Sequence, residues 1–436
     1  MQNKNENVQK NVRMYPTAKH QMWLIFMCFF AYTVSYVTRY SYNSNIVAIR
    51  DAYGISKADA GLVSTFYFFS YGIGQVVNGL LCKRYNKKYC IAGALLVSGV
   101  INIVLFTSPS FAIYKWLWLI NGAALSILWT SLIAILSKHL ENRFLSRSVF
   151  IMSMSVAFGT FFSYGTGAVF NQINAYYFEF LFAAVLAIVM SIAWVLSYDT
   201  LTAPAISETV DESNVTEEKG KSSEKKTNAL GAMGAVSVFV IPGILVAIDN
   251  LIKDGLNTWV PEILKSTFGY GNGLSIALTI VLPIVGMGGS AVALALHRKI
   301  KNFLSLSGLL YLMATICIAV ISAILVGGKS GVVAGICTIL IFGLISLLTH
   351  GINSVMTSIA PMLLRDRYDS GMLAGVLNGC AYVGSMASAY GLGAVSDKAG
   401  WNGVFILLLA LSALGMLIGF VSPIIGKLIR KDEKQK

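Results

Sequence analysis

The chain has 436 residues, 56% of them hydrophobic and only 12% charged. That is more apolar surface than a water-soluble domain can bury, so composition excludes soluble classes and indicates an integral membrane protein. The 33 Lys and Arg outnumber 20 Asp and Glu for a formal charge of +13; they are scattered over short segments without a recognition motif, which favours membrane topology over a nucleic-acid surface.

In chain order, residues 1–20 are polar and basic and read as a cytoplasmic tail. The first apolar stretch is too long for a signal peptide and lacks a small-residue cleavage site. Runs of about 20 apolar residues predict twelve spanning helices, centred near residues 35, 70, 98, 125, 159, 187, 246, 284, 314, 344, 382 and 413. The first six occupy 21–198 and the last six 231–426, with a C-terminal tail over 427–436. Between them, 199–230 contains SETVDESNVTEEKGKSSEKKTN, a composition that cannot form a core and predicts a disordered cytoplasmic linker.

Arg39 stands about seventeen residues into helix 1, or about 25 Å along it, too deep to snorkel to the surface. A guanidinium there costs on the order of 2.5–3.5 kcal/mol on insertion scales, so it marks a substrate or ion pathway. Helix 7 repeats the feature with Lys253, and YVTRYSYN aligns over NLIKDGLN. Asn43 and Asn257 follow the two cations by one turn on the same face. This internal duplication predicts an all-α membrane protein of two pseudo-symmetric six-helix bundles.

Of the 33 Lys and Arg, 25 fall on the side of the termini and six in the opposite loops (Arg50, Lys57, Lys115, Lys265, Lys329 and Lys398). The positive-inside rule therefore predicts a multi-pass protein of the cell (plasma or inner) membrane with both termini cytoplasmic. The six cysteines offer no disulfide framework or metal spacing.

Helices 3, 6, 9 and 12 are apolar all round and can face lipid, whereas helices 1, 2, 4, 7, 10 and 11 carry polar residues at helical spacing. Among these are Tyr32, Tyr36, Arg39 and Asn43 on helix 1; Tyr67, Tyr71, Gln75 and Asn78 on helix 2; Asp249, Asn250, Lys253 and Asn257 on helix 7; and Thr349, His350 and Asn353 on helix 10. The pattern predicts a central cavity between the bundles. Asp249, one turn before Lys253, is expected to pair with it in the empty site, either structurally or as a coupling switch. His350 is a packing histidine or a substrate or proton site. Glu179 is expected to snorkel outward, and the doubled GxxxG at Gly371, Gly375 and Gly379 to pack tightly.

Tyr36-x-x-Arg39, Tyr71-Gly72 through Gly79-Leu-Leu-Cys-Lys83-Arg84, Trp259-x-Pro261 and Gly393-Ala-Val-Ser-Asp397-Lys-Ala-Gly400-Trp401 together resemble the major facilitator superfamily. Within it the chain resembles the organophosphate:phosphate antiporters, such as the glycerol-3-phosphate and hexose-phosphate transporters. The resemblance implies that Arg39 and Lys253, the latter at an arginine position of the family, hold the substrate phosphate across the two halves. The chain departs from the family pattern at Lys83 and Asn86 of the helix 2–3 loop motif, at Tyr40, at Gln75, which occupies a lysine position, and at Met154-Ser155-Val156, where a histidine is usual.

The expected function is secondary active transport of a small anionic solute, an organophosphate or related organic anion, by alternating access. Arg39, Lys253, Tyr36, Asn43, Tyr71, Gln75, Asn257 and His350 are expected to bind the substrate, with Asp249 coupling. Inorganic phosphate or a proton is the expected coupling ion. No cofactor, metal or nucleic-acid partner is expected, the chain is expected to be monomeric in the bilayer, and the absence of a nucleophile–base pair argues against an enzyme. The alternatives are a proton-coupled symporter of a carboxylate such as a sugar acid, and a transporter-like membrane receptor, which would need a docking surface that neither linker nor tail offers.

Overall fold

The computed structural model describes residues 12–81, 84–209, 239–326, 332–364 and 370–433. The start of the N-terminal tail, most of the predicted linker, the end of the C-terminal tail, and Lys83, Lys329, Arg365 and Arg367 of the charge count lie outside the described residues.

A short strand β1 (Val12–Tyr15) leads into α1 (Ala18–Ser44), which begins at Thr17, whose side chain accepts from the His20 amide at 3.3 Å. The chain bends at Asn45 and continues as α2 (Ile46–Tyr53). There follow α3 (Lys57–Leu81), α4 (Lys87–Phe106), α5 (Tyr114–Leu125) and α6 (Ile127–His139), and then α7 (Asn142–Gln172) and α8 (Phe178–Thr202). Strand β2 (Ile206–Thr209) pairs antiparallel with β1, setting Arg13 opposite Glu208. Neither strand is expected from the tail and linker composition; both are short β-compatible runs that gain backbone partners only from each other.

The second half starts with α9 (Ile241–Phe268), which runs through Trp259 and Pro261 instead of ending before them. The predicted eighth span is three pieces, α10 (Asn272–Thr279), α11 (Val281–Gly286) and α12 (Gly289–His297). Pro283 has no N–H to return to the carbonyl one turn back, which loosens the helix near Thr279. Helix α13 (Phe303–Val326) follows, then α14 (Val332–Ser354), which widens into a π turn at Val355–Ile359 before α15 (Ala360–Leu363). The last element, α16 (Ser370–Glu433), is two helices joined at Gly400, where φ is +65°. All twelve predicted centres fall inside helices.

The duplication reaches the ends of the leading helices. Both α2 and α9 terminate on a left-handed glycine, Gly54 at φ +61° and Gly269 at φ +70°, whose N–H caps the carbonyl of a basic residue, Arg50 or Lys265. Packing between the halves is equally paired. Helix α3 lies on the first part of α16, and α7 lies on α10 and α11, so spans 2 and 11 and spans 5 and 8 make the two equivalent contacts of a pseudo-two-fold.

Large apolar side chains are exposed on outer faces, among them Val189 and Leu196 on α8, Ile316 on α13 and Ile406 on α16. Water would penalise such a surface and hydrocarbon would not. Between helices, close backbone approach then matters more than apolar burial. It does not occur where GxxxG predicts it: a Cβ on Gly375 or Gly379 would meet open space, whereas one on Gly384 would lie 2.9 Å from the Ala247 Cα. The tight contact is thus with α9, further along the same helix.

Candidate functional site

Arg39 is buried to 8% exposure among five aromatic rings. Its guanidinium carbon is 5.2 Å from the Tyr36 ring centre, 5.5 Å from Tyr40, 5.0 Å from Tyr67, 5.2 Å from Phe68 and 5.6 Å from Tyr71. The helical spacing of Tyr36, Arg39 and Tyr40 on α1 and of Tyr67, Phe68 and Tyr71 on α3 brings these rings to one level. Tyr382 of α16 closes the group, its ring 5.1 Å from that of Tyr71. The guanidinium donates to the Tyr36 hydroxyl at a long 3.5 Å, and among the described residues no ion pair joins Arg39 to an acid. Ring faces stabilise a desolvated cation by about 0.5–2 kcal/mol each. They leave its charge unneutralised and its N–H fork available to an oxyanion.

Lys253 lies near the middle of α9 and is partnered. Its ammonium donates to Asn250 Oδ1 at 2.6 Å and is 3.9 Å from Asp254 Oδ1. Asp254 is turned toward α16, where Ser385 donates to its other oxygen. His350 on α14 lies close enough to Lys253 and Asp254 to feel both charges, while its Nδ1 sits 2.8 Å from the Ser346 carbonyl. The expected Asp249–Lys253 pair is not formed. Asp249 is fully buried, and its carboxylate lies in the field of Lys253 and the Asn353 amide without a hydrogen bond of ordinary geometry to either. The reason is competition: Asn250 and Asp254 offer the ammonium nearer oxygens on the side of Lys253 away from Asp249.

Beyond these cations the halves are joined at one end. Asn43 accepts from Ser64 at 2.8 Å and donates to Thr258 on α9 at 3.3 Å, so it serves a helix contact. The Tyr164 hydroxyl of α7 donates to the Asn257 backbone carbonyl at 2.5 Å, and the Tyr164 ring lies 5.9 Å from that of Tyr40. Further out, the halves exchange ion pairs reciprocally: Arg50 of the first binds Glu262 of the second, and Lys265 of the second binds Asp51 of the first. Asp397 of α16 accepts from the first amides of α3, Lys57 at 3.2 Å and Ala58 at 2.8 Å, and faces the Lys57 ammonium at 3.7 Å. Among the described residues every ion pair between the halves lies at this end.

Of the predicted binding residues, Tyr36 and Tyr71 lie against Arg39, and Gln75 reaches the group through a 3.0 Å bond to the Tyr71 hydroxyl. Lys253 and His350 form a second cluster, and the Asn257 side chain is half-buried one turn beyond Lys253. Asn78 does not join the α3 face, because it donates to Ser126 of the neighbouring α5–α6 junction at 2.8 Å. Glu179 does not snorkel: it is fully buried and accepts from Ser163 of α7 at 3.0 Å. The sequence reading missed Phe68, Tyr382, Ser385 and Glu262. Ser385 and Tyr382 sit one turn apart on the α16 stripe that faces the first half, a signal present in the spacing.

The model of the Major Facilitator Superfamily matches residues 28–365. The chain is 29% identical over 108 residues to the membrane sensor protein UhpC of Escherichia coli, a stretch that is 24% of this chain and 25% of that protein; the chain thus spans about a quarter of the length of that relative. It is 19% identical over 404 residues to sugar phosphate exchanger 3 of Bos taurus, covering 84% of this chain and 79% of the relative. Among solved structures, a bacterial homolog of the human lysosomal transporter Spinster, inward-facing and unoccupied, superposes with a TM-score of 0.76 at 13% identity over 93% of this chain and 97% of that one. With an all-α fold, exposed apolar helices and this match over most of its length, the chain belongs to the Major Facilitator Superfamily and is an integral membrane protein.

Proposed function

We propose that the chain is a secondary active transporter of a small anionic solute, an organophosphate of the sugar-phosphate class, working by alternating access. The observation that carries this reading is Arg39: a cation at 8% exposure, caged by aromatic rings and without an acidic partner among the described residues. A buried charge is tolerated when something neutralises it, and here the missing partner is an anion. Lys253 supplies the second positive contact from the other half. The name of one relative, a sugar phosphate exchanger, agrees with a sugar phosphate as ligand. The two bundles are residues 21–198 and 231–426, with both termini cytoplasmic, and the end held by Arg50–Glu262 and Lys265–Asp51 is then the outer one. On this reading the opposite, inner end is the one from which the substrate site is reached; the anion draws the two cations together and favours the occluded state, the difference in affinity that alternating access requires.

Uptake of radiolabelled glucose 6-phosphate into proteoliposomes loaded with inorganic phosphate tests the reading. Saturable uptake that needs the internal anion supports exchange. Binding by thermal shift with no uptake identifies a sensor instead, and neither binding nor uptake for a panel of sugar phosphates overturns the substrate class.

A further inference from the structure

The mechanism above uses Arg39 and Lys253 and leaves Asp249 without a task. Its carboxyl is fully buried in α9, and neither oxygen has a hydrogen-bond partner among the described residues. Around α9 stand Tyr311 of α13, which reaches Leu245, Cys380 of α16, which lies over Gly243, His350 of α14, near Lys253 and Asp254, and Tyr40 of α1, near Asp254 and itself beside Arg39. None of these is hydrogen-bonded to the Asp249 carboxyl: the Tyr311 hydroxyl, for one, donates to the Leu245 carbonyl at 2.5 Å. The charges that bear on Asp249 are Lys253 and Asp254, and Lys253 is held away on Asn250 and Asp254. An ionised, unpaired carboxylate in such a setting is far costlier than a protonated one.

We propose that Asp249 is a proton-binding site that couples a proton to the transported anion, an inference that rests on the transporter reading above. Lys253 stands four residues on along the same helix, so a change of its rotamer brings the ammonium to Asp249. Two arrangements then exclude each other. With Asp249 protonated, Lys253 is free of it and available to the anion. With Asp249 ionised, the carboxylate recaptures Lys253 and the anion loses its second cation. Proton and anion bind together and leave together, and each raises the other's affinity by the same factor. Only the O–H bond of the carboxyl is made and broken, the proton entering from one side of the membrane and leaving to the other.

Two measurements on the full-length protein test this. In proteoliposomes with the membrane potential clamped at zero, a one-unit inward proton gradient should drive accumulation of glucose 6-phosphate up to about tenfold if one proton accompanies each anion. Asp249→Asn should retain exchange of internal for external glucose 6-phosphate and lose that accumulation. Wild-type accumulation indifferent to the gradient, or gradient-driven accumulation by D249N equal to wild type, overturns the proposal and makes Asp249 a structural acid. Independently of any substrate, the infrared spectrum of purified wild type at neutral pH should carry a protonated-carboxyl C=O band absent from D249N and abolished in wild type at alkaline pH. No difference between the two proteins overturns the proton site even if transport is observed; the band without any glucose 6-phosphate uptake upholds the proton site and overturns the substrate assignment alone. Should D249N fail to fold, the alkaline loss of the band and the gradient dependence of wild type decide the question.

Discussion

Asp397→Ala should shift the protein from its closed end toward opening there. The carboxylate caps α3 from the opposite half, through two amides at 3.2 and 2.8 Å and the Lys57 ammonium at 3.7 Å. Removing a helix cap of this kind costs about 0.5–2 kcal/mol, and the partly exposed ion pair adds at most about 1 kcal/mol. Because the cap joins the halves, its loss acts on the closed arrangement alone. A total of about 2 kcal/mol shifts the population by about 30-fold. The assay is labelling of a Thr258→Cys probe, in a background free of native cysteines, by a membrane-impermeant maleimide added from outside. Thr258 is fully buried beneath the closed end, so the unmodified closed form should label slowly and the D397A form an order of magnitude or more faster. Equal labelling rates would refute the claim that this contact holds the end shut.

Arg39→Lys should weaken binding of glucose 6-phosphate by about 10- to 100-fold, since the ammonium cannot reproduce a two-pronged contact; titration calorimetry at matched protein concentration measures it. Tyr67→Phe should leave that affinity within about twofold, because the ring face that meets Arg39 is kept, whereas Tyr67→Ala removes the nearest ring, at 5.0 Å, and should cost about 1–2 kcal/mol in the same titration. Glu179→Ala should lower stability by about 1–3 kcal/mol by stranding the buried Ser163 hydroxyl, while Glu179→Gln stays near wild type; thermal unfolding in detergent distinguishes them, and an undisturbed alanine variant would contradict the buried role.

The spans were legible because a bilayer imposes a run of about 20 apolar residues whatever the packing. Arg39 was legible because hydrocarbon makes a mid-helix charge conspicuous. What helical spacing does not contain is rotation. The periodicity put Tyr36 and Tyr71 on polar faces, but that Tyr40 and Phe68 turn toward the same guanidinium and Tyr382 packs on Tyr71 depends on how α1, α3 and α16 are set against one another. Lys253 shows the same limit, since three oxygens within one turn competed for it and only the side-chain geometry selects Asn250 and Asp254 over Asp249. Glu179 looked exposed because it opens a helix, and Ser163, sixteen residues earlier, supplies the buried partner. The reciprocal pairs Arg50–Glu262 and Lys265–Asp51 join residues more than 200 positions apart, a connection that local pattern cannot reveal.

The central claim, that an anion crosses the membrane bound to Arg39, is tested most directly by counterflow of radiolabelled glucose 6-phosphate in proteoliposomes carrying equal amounts of wild type or Arg39→Ala. The account predicts a transient overshoot for wild type and the protein-free baseline for the variant, with the variant still folded because an unpaired buried cation contributes little net stability. Counterflow by R39A at the wild-type rate would contradict it.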